Sequence, residues 1–427
     1  MKILLLSYSL TTSSPALRLK KALESRGEQV TLLTMTATEG VAAKKGVAVI
    51  TPSHLYRMYE YVSIRLKNAI FRFIYRNKKP SYFSVGNLGI PYRYLRKYVL
   101  EADVVNLHWV TGFINYDDIE KIRRDAKKVI WTLHDCRPFT GGCHHDEGCN
   151  GFEKDCGRCP LLNSKNVHDI THYIMKRSRR SLTAYLNDNK NPKGSAEAEG
   201  ISSVKEINIV APGTWMAERV SRSSLFGNSR CSVIPNALDL NIFKPLNRQS
   251  LREEYNIPED ARVILTGAVH MDSPYKGFEK LKEIITKLPR DIFLLTFGRV
   301  DDLADVCDGI NLRQFGYIDD ESEMARIYNL ADVFVLPSLH ENLPTVVMES
   351  MACGTPVTAF DVGSVRDMMS HKEDGYVATC YDADDFVEGV EWCMEYGRVI
   401  SGKAVDRIRT YADYGIVGNK YTEAYSE

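Results

Sequence analysis

Short apolar runs alternate with helical patterns along this chain, and the whole alternation occurs twice. In the first half KILLLSY, QVTLLTM, DVVNLHW, KVIWTLH and INIVAP read as buried strands, separated by helical stretches such as Ala16 to Arg26 and Asp118 to Lys127. In the second half RVILTGA, IFLLTFG, DVFVLPS and PVTAFDV do the same, with Gly277 to Leu288 and Thr345 to Met351 between them. Strands this apolar, each followed by a helix, predict α/β parallel sheets covered by helices on both faces. Two such sets in 427 residues predict two doubly wound domains. The boundary falls near CSVIPNALDLNIFKP, giving a first domain over 1–230 and a second over 231–405, with a C-terminal helix over 406–427 that packs back on the first. Ligands of such sheets bind beyond the carboxyl ends of the strands, where His108, His134, Lys276 and Glu341 all fall.

Charge excludes little globally: 55 Lys and Arg balance 55 Asp and Glu, so the chain as a whole has no bias towards nucleic acid or membrane. MKILLLSYSL turns polar at Thr11 and has no small-residue cleavage pattern, so it reads as a first strand and not a leader. No run reaches the ~18 apolar residues of a membrane span, and a cytoplasmic protein is expected. Locally the balance breaks. Between Arg57 and Lys79 seven basic residues face one acid, Glu60, with Tyr56, Tyr59, Tyr61, Phe71, Phe73 and Tyr75 interleaved. The 56–79 segment is either an amphipathic helix resting on a membrane surface or a long solvated helix whose aromatics pack on their own domain. No nucleic-acid partner is expected, since nothing else supports one. The polar stretch 187–203, NDNKNPKGSAEAEGISS, reads as a flexible loop.

The densest chemistry lies between Leu336 and Phe360, where PSLHENLPTVVMESMACGTPVTAF sets Glu341 and Glu349 eight positions apart across a loop-to-helix junction. Pro344 suits the first helical turn. The free N–H groups of that turn, with the helix dipole behind them, offer a seat for phosphate oxygens. Glu349, more than a turn further on, is placed to accept hydrogen bonds from sugar or ribose hydroxyls. A different signal comes from Cys143, Cys149, Cys156 and Cys159 in the 136–160 loop. Four thiolates could bind a structural zinc ion and brace a loop that has no core. Zinc is the first reading, with two disulfides or reduced thiols as the alternatives, and Cys136 is the spare.

IPNALDLNIFKP, Lys276-Gly277, QFGYIDDESEMARIYNLADVFVLPS, Glu341-x7-Glu349 and CGTPVTAFDVGS together resemble the C-terminal domain of family 4 retaining glycosyltransferases. NLHWVTGF, WTLHDCRPFTGGCHH and IVAPGTWMAERV look like a polysaccharide-biosynthesis branch of that family. The resemblance implies the GT-B architecture, two Rossmann-like domains facing across a cleft. It implies transfer of a sugar from a nucleotide-sugar donor to a glycan or lipid-linked oligosaccharide acceptor, such as a capsule, exopolysaccharide or O-antigen precursor. No catalytic cofactor is implied. Lys276 then contacts the donor diphosphate, Glu341 and the N–H groups of Asn342, Leu343 and Thr345 surround the donor hexose, and Glu349 accepts from the ribose. His134 faces the transferred sugar, with its ring or its backbone carbonyl. Two departures stand out. Gly267 is followed by Ala268 where many members have Arg, leaving Lys276 alone or with Arg299, and Thr11 to Pro15 replaces a Gly-Gly loop. A phosphorylase or epimerase on the same fold, and a degenerate nucleotide-sugar-binding scaffold, are the competing readings.

Overall fold

The computed structural model describes residues 1–79, 82–86, 89–188, 206–299, 303 and 307–427. Seven parallel strands build the first sheet: β1 (Lys2–Leu6), β2 (Gln29–Thr34), β3 (Val47–Val49), β4 (Val104–Leu107), β5 (Val129–Thr132), β6 (Ile207–Ala211) and β7 (Cys231–Val233). Their order is β3-β2-β1-β4-β5-β6-β7. The second sheet holds β8 (Arg262–His270), β9 (Ile292–Arg299), β10 (Asn311–Gln314), β11 (Val333–Leu336), β12 (Val357–Phe360) and β13 (Tyr376–Ala378), in the order β10-β9-β8-β11-β12-β13. Central strands are buried on both faces, as the unbroken apolar runs require: Ile3 to Leu6, Val129 to Thr132 and Val333 to Leu336 are all inaccessible to solvent or nearly so. Two doubly wound α/β domains are therefore present, as expected.

Each sheet reverses its winding beside its first strand, between β1 and β4 and between β8 and β11. At such a switch point successive loops diverge to opposite faces and leave a crevice at the carboxyl ends of the strands. The loops after these four strands carry Tyr8, His108, Trp109, Lys276, Glu341 and Asn342, while His134 follows β5.

Two boundaries differ from expectation. The first sheet runs past residue 230, because β7 begins at Cys231 and pairs in register with Ile209 of β6. The second core begins only at Leu238. The last helical segment also starts later than 406. Helix α6 (Ala383–Ala412) is continuous through that position, and the break comes at Asp413, whose carboxylate accepts from the Gly415 N–H and caps α7 (Tyr414–Ser426). Val417, Tyr421 and Tyr425 of α7 are buried in the first domain beside α1 (Pro15–Glu24). Asn106 donates to the Tyr425 hydroxyl at 2.9 Å, fixing that helix to β4. In the 187–203 stretch, Asn187 and Asp188 finish the helix Ile170–Asp188, and the remainder lies outside the described residues.

Among the described residues no helix is long and apolar enough to cross a membrane. Helix α2 (His54–Ile74) nevertheless presents an unusual surface. Phe71 is its one buried residue. Leu55, Val62, Leu66 and Phe73 recur at helical spacing on the outward side and are 57–74% exposed. The aromatics of this helix thus do not pack wholesale on their own domain.

Candidate functional site: the interdomain cleft

Between the carboxyl ends of the two sheets lies a cleft of about 1000 Å3. On the second-domain side it is lined by Lys276, Glu341, Asn342, Leu343 and Thr345, and on the first-domain side by Tyr8, His108, Trp109, His134 and His145. The second-domain wall is built around α5 (Thr345–Ala352). Pro344 is its N-cap and not its first helical residue, and no side chain caps the helix. Its first N–H groups therefore open towards the cleft, with the helix dipole aligned behind them.

Lys276 owes its position to the glycine after it. Gly277 adopts φ +69° at the start of α3 (Phe278–Lys287), and a Cβ there would sit 1.9 Å from the Pro337 carbonyl oxygen. That close approach of two backbones, which only glycine permits, brings Lys276 against the loop after β11. Its ammonium donates to Glu341 Oε1 at 2.6 Å. Cation and carboxylate thus sit together at the mouth of α5.

Across the cleft, Asn342 Nδ2 donates to the backbone carbonyls of Leu133 and His134, each at 3.1 Å. The His134 carbonyl thus accepts one hydrogen bond from the second domain, and His134 also lines the cavity. His134 Nε2 lies 2.9 Å from His108 Nδ1, and burial pushes His134 down to about 4 against the opposing pull of Asp135. His108, more deeply buried, is held well below the ordinary histidine value by burial and by His134. Both rings are neutral near pH 7, and one donates to the other. Beside them Asp135 accepts from Trp109 Nε1 at 2.9 Å and pairs with His144 Nδ1 at 2.7 Å, while His144 Nε2 meets the Ser84 hydroxyl at 2.8 Å. Burial raises the Asp135 carboxyl, but His144 and the Arg137 N–H outweigh it and hold the group below its usual range.

Glu349 is buried beneath the helix start. Tyr328 donates to its Oε2 at 2.9 Å, and Arg18 of α1 reaches across from the first domain to its Oε1 at 2.8 Å. The same guanidinium holds Glu321 Oε1 at 2.7 Å, at the start of α4 (Glu321–Leu330). Burial alone would weaken the Arg18 charge, but the two carboxylates more than offset it and hold the group above the ordinary arginine value.

Gly267, Arg299 and the four cysteines are placed differently from expectation. Gly267 lies inside β8, where a Cβ would strike the Phe297 ring at 2.6 Å, so it serves packing, and it is Ala268 and Val269 that line the cleft. Arg299 ends β9 exposed and lines neither this cleft nor the smaller cavity beside it. Cys143, Cys149, Cys156 and Cys159 fall in one neighbourhood as free thiols, yet no group of three or more Cys, His, Asp or Glu side chains among the described residues is arranged to hold a metal. Cys159 and Cys143 belong to an apolar cluster with Phe71 and Leu161, and burial pushes Cys156 up to about 12 and Cys159 to about 11. The zinc reading is not supported by this arrangement.

Arg18 and Asp135 escaped the sequence reading. The available signals were a basic residue one turn into the helix after β1, and the His-Asp pair that follows β5.

Residues 247–412 match the family described as glycosyl transferases group 1. Over 323 residues, covering 74% of this chain and 71% of the relative, the sequence is 25% identical to the Escherichia coli (strain K12) protein provisionally named colanic acid biosynthesis glycosyl transferase WcaC. It is 24% identical over 200 residues to a D-inositol 3-phosphate glycosyltransferase of Mycobacterium marinum, spanning 43% of this chain and only 42% of that protein's length. The structure of Anabaena Alr3699/HepE in complex with UDP-glucose superposes with a TM-score of 0.63 at 14% identity, covering 100% of this chain and 99% of that one. That likeness is one of fold.

Proposed function

We propose, for a chain that belongs to glycosyl transferases group 1 and has the GT-B fold, that it transfers a hexosyl unit with retention from a nucleotide-sugar donor to a growing exopolysaccharide or capsule precursor. The observation that carries this is the open N-terminus of α5 at the switch point of the second sheet, with Lys276 and Glu341 at its mouth and Glu349 lining the smaller cavity beside it. A diphosphate seated there meets N–H dipoles and an ammonium that are already oriented, which is where leaving-group charge needs stabilising. The anomeric C–O bond to phosphate breaks, the acceptor hydroxyl bonds to the same face of the sugar, and its proton passes to the departing phosphate oxygen. No protein nucleophile is needed, so Glu341 positions sugar hydroxyls while Lys276 meets the diphosphate. The neutral His134 ring, facing it, donates to or accepts from a sugar hydroxyl. Closure of the two domains over bound donor and acceptor would exclude water and favour transfer over hydrolysis. Binding of UDP-glucose by the HepE protein supports a donor of this chemical class, and the name of the colanic acid relative supports polysaccharide assembly.

Thermal-shift measurements with UDP, GDP, ADP and CMP and their sugar conjugates test this. One nucleotide class should raise the melting temperature by several degrees, through ligation of the native state alone. Indifference to all of them would remove the donor site and the transferase reading with it.

The acceptor in this proposal is lipid-linked, at the inner face of the cytoplasmic membrane. Helix α2 supports that: its inner side, through Glu60, Ile64, Lys67 and Asn68, lines the cleft, while its outer side is apolar and flanked by Arg65 and Arg72. Patches of this kind on an isolated chain mark interaction surfaces, and the flanking cations suit anionic headgroups. The protein should co-sediment with vesicles containing phosphatidylglycerol and not with pure phosphatidylcholine, the binding weakening as salt is raised. Leu66→Glu combined with Arg72→Glu should lower that association about tenfold or more. Equal recovery in the supernatant with both lipids would reject the membrane contact while leaving the donor chemistry untouched.

A further inference from the structure

Arg18 belongs to the first domain, yet it lies wholly among groups of the second. Its Nε and Nη2 are taken by Glu321 and Glu349 at 2.7 and 2.8 Å, its face lies 5.3 Å from the centre of the Phe243 ring, and 1% of its surface is exposed. Its Nη1 is buried with no hydrogen-bond partner. A guanidinium N–H deprived of both water and an acceptor is unfavourable, and proteins rarely leave one so. Beside it is a second cavity of about 100 Å3, lined by Arg18, Glu349, Thr345, Val346, Gly298 and Ile318 among others. This is far larger than the ~10–15 Å3 that a single water needs on the same measure.

We infer that Arg18 is a donor-positioning residue supplied across the cleft, and that with Glu349 it reads the ribose diol of the nucleotide. The inference rests on the donor-site reading above and adds to it a residue from the opposite domain. A vicinal diol offers two hydroxyl protons and two oxygens. Glu349 accepts, and its remaining lone pairs are free for the hydroxyl protons. Arg18 Nη1 donates to a hydroxyl oxygen, and it is the neighbouring Nη2 that fixes the carboxylate. A donor and an acceptor side by side thus match both halves of each hydroxyl, as carboxylate and guanidinium separately do not. Because Arg18 rides on α1, this half of the ribose site is complete only while the two domains are in contact. Thr12, in the loop before α1, donates to Asp319 Oδ1 at 3.0 Å and holds the same contact shut.

Arg18→Lys keeps the charge and removes the second N–H arm. Calorimetric titration would use whichever of UDP, GDP or ADP binds the wild type most tightly, and its 2′-deoxy counterpart. Wild type should favour the ribonucleotide, and the variant should lose roughly 10- to 100-fold in affinity for it, with the ribo-over-deoxy preference reduced by about tenfold. Arg18→Met should behave the same way, and its melting temperature without nucleotide shows separately how far the fold depends on the ion cluster. An unchanged ribo-over-deoxy ratio in Arg18→Lys, whether affinity is retained or falls equally for both nucleotides, overturns the assignment and leaves Arg18 a structural clasp. Failure of the wild type to bind any of the three overturns the donor site itself.

Discussion

Glu349→Ala is expected to lower the melting temperature by roughly 5–10 °C and to abolish stabilisation by any nucleotide. Two separate causes act at one residue. The carboxylate is 5% exposed and answers a guanidinium that is itself buried. Removing one partner of such a pair strands charge in a poor solvent, at a typical cost of about 3–5 kcal/mol. Here Glu321 still faces Arg18, so the loss should fall towards the lower end. The Tyr328 hydroxyl loses its acceptor as well, and burial already holds that phenol far above its normal range. The loss of nucleotide binding has a different origin, since the ribose has no hydroxyl acceptor left. Differential scanning fluorimetry with and without nucleotide separates the two. A variant that melts early but still gains several degrees from nucleotide would show that Glu349 serves the fold and not the ligand.

Lys276→Met is expected to lower turnover by two to three orders of magnitude, a size typical of losing one preorganised group from the place where transition-state charge develops. The diphosphate carries more negative charge as it leaves than while bound, so kcat should fall more than KM rises. Stability should change little by comparison, because Lys276 is 30% exposed and its pairing with Glu341 is open to solvent screening. Steady-state kinetics of sugar transfer check this. If KM rises and kcat stays at the wild-type value, Lys276 contributes only uniform donor binding.

The sheets were legible because a strand buried on both faces must be apolar throughout, and few other structures demand such runs. Leu4 and Val105, or Ile264 and Val333, pair in the sheets that their segments predicted. The placement of Lys276, Glu341 and Glu349 about the start of α5 was legible because their spacing to Gly277 and Pro344 carries local conformation, and backbone geometry fixes where such side chains emerge. Gly267 and Arg299 were misplaced for a related reason. Position near a strand end gives the neighbourhood of a side chain, whereas its direction depends on the pleat and on what packs opposite, here the Phe297 ring. The four cysteines do come together, but their spacing by itself does not separate a zinc site from free thiols.

The sequence by itself determined the local terms: which segments are strands, where α5 opens, and which residues lie in loops beyond the carboxyl ends of the strands. These follow from periodicity, caps and glycine conformations, all set within a few residues of one another. Only the tertiary structure decided that Arg18 meets Glu349, 331 positions away, that Asn342 grips the carbonyls beside His134, and that α2 turns its apolar side outwards. Those contacts join the two domains or face solvent. Their energy depends on desolvation and on the approach of two separately folded surfaces, and no local pattern in the chain encodes either.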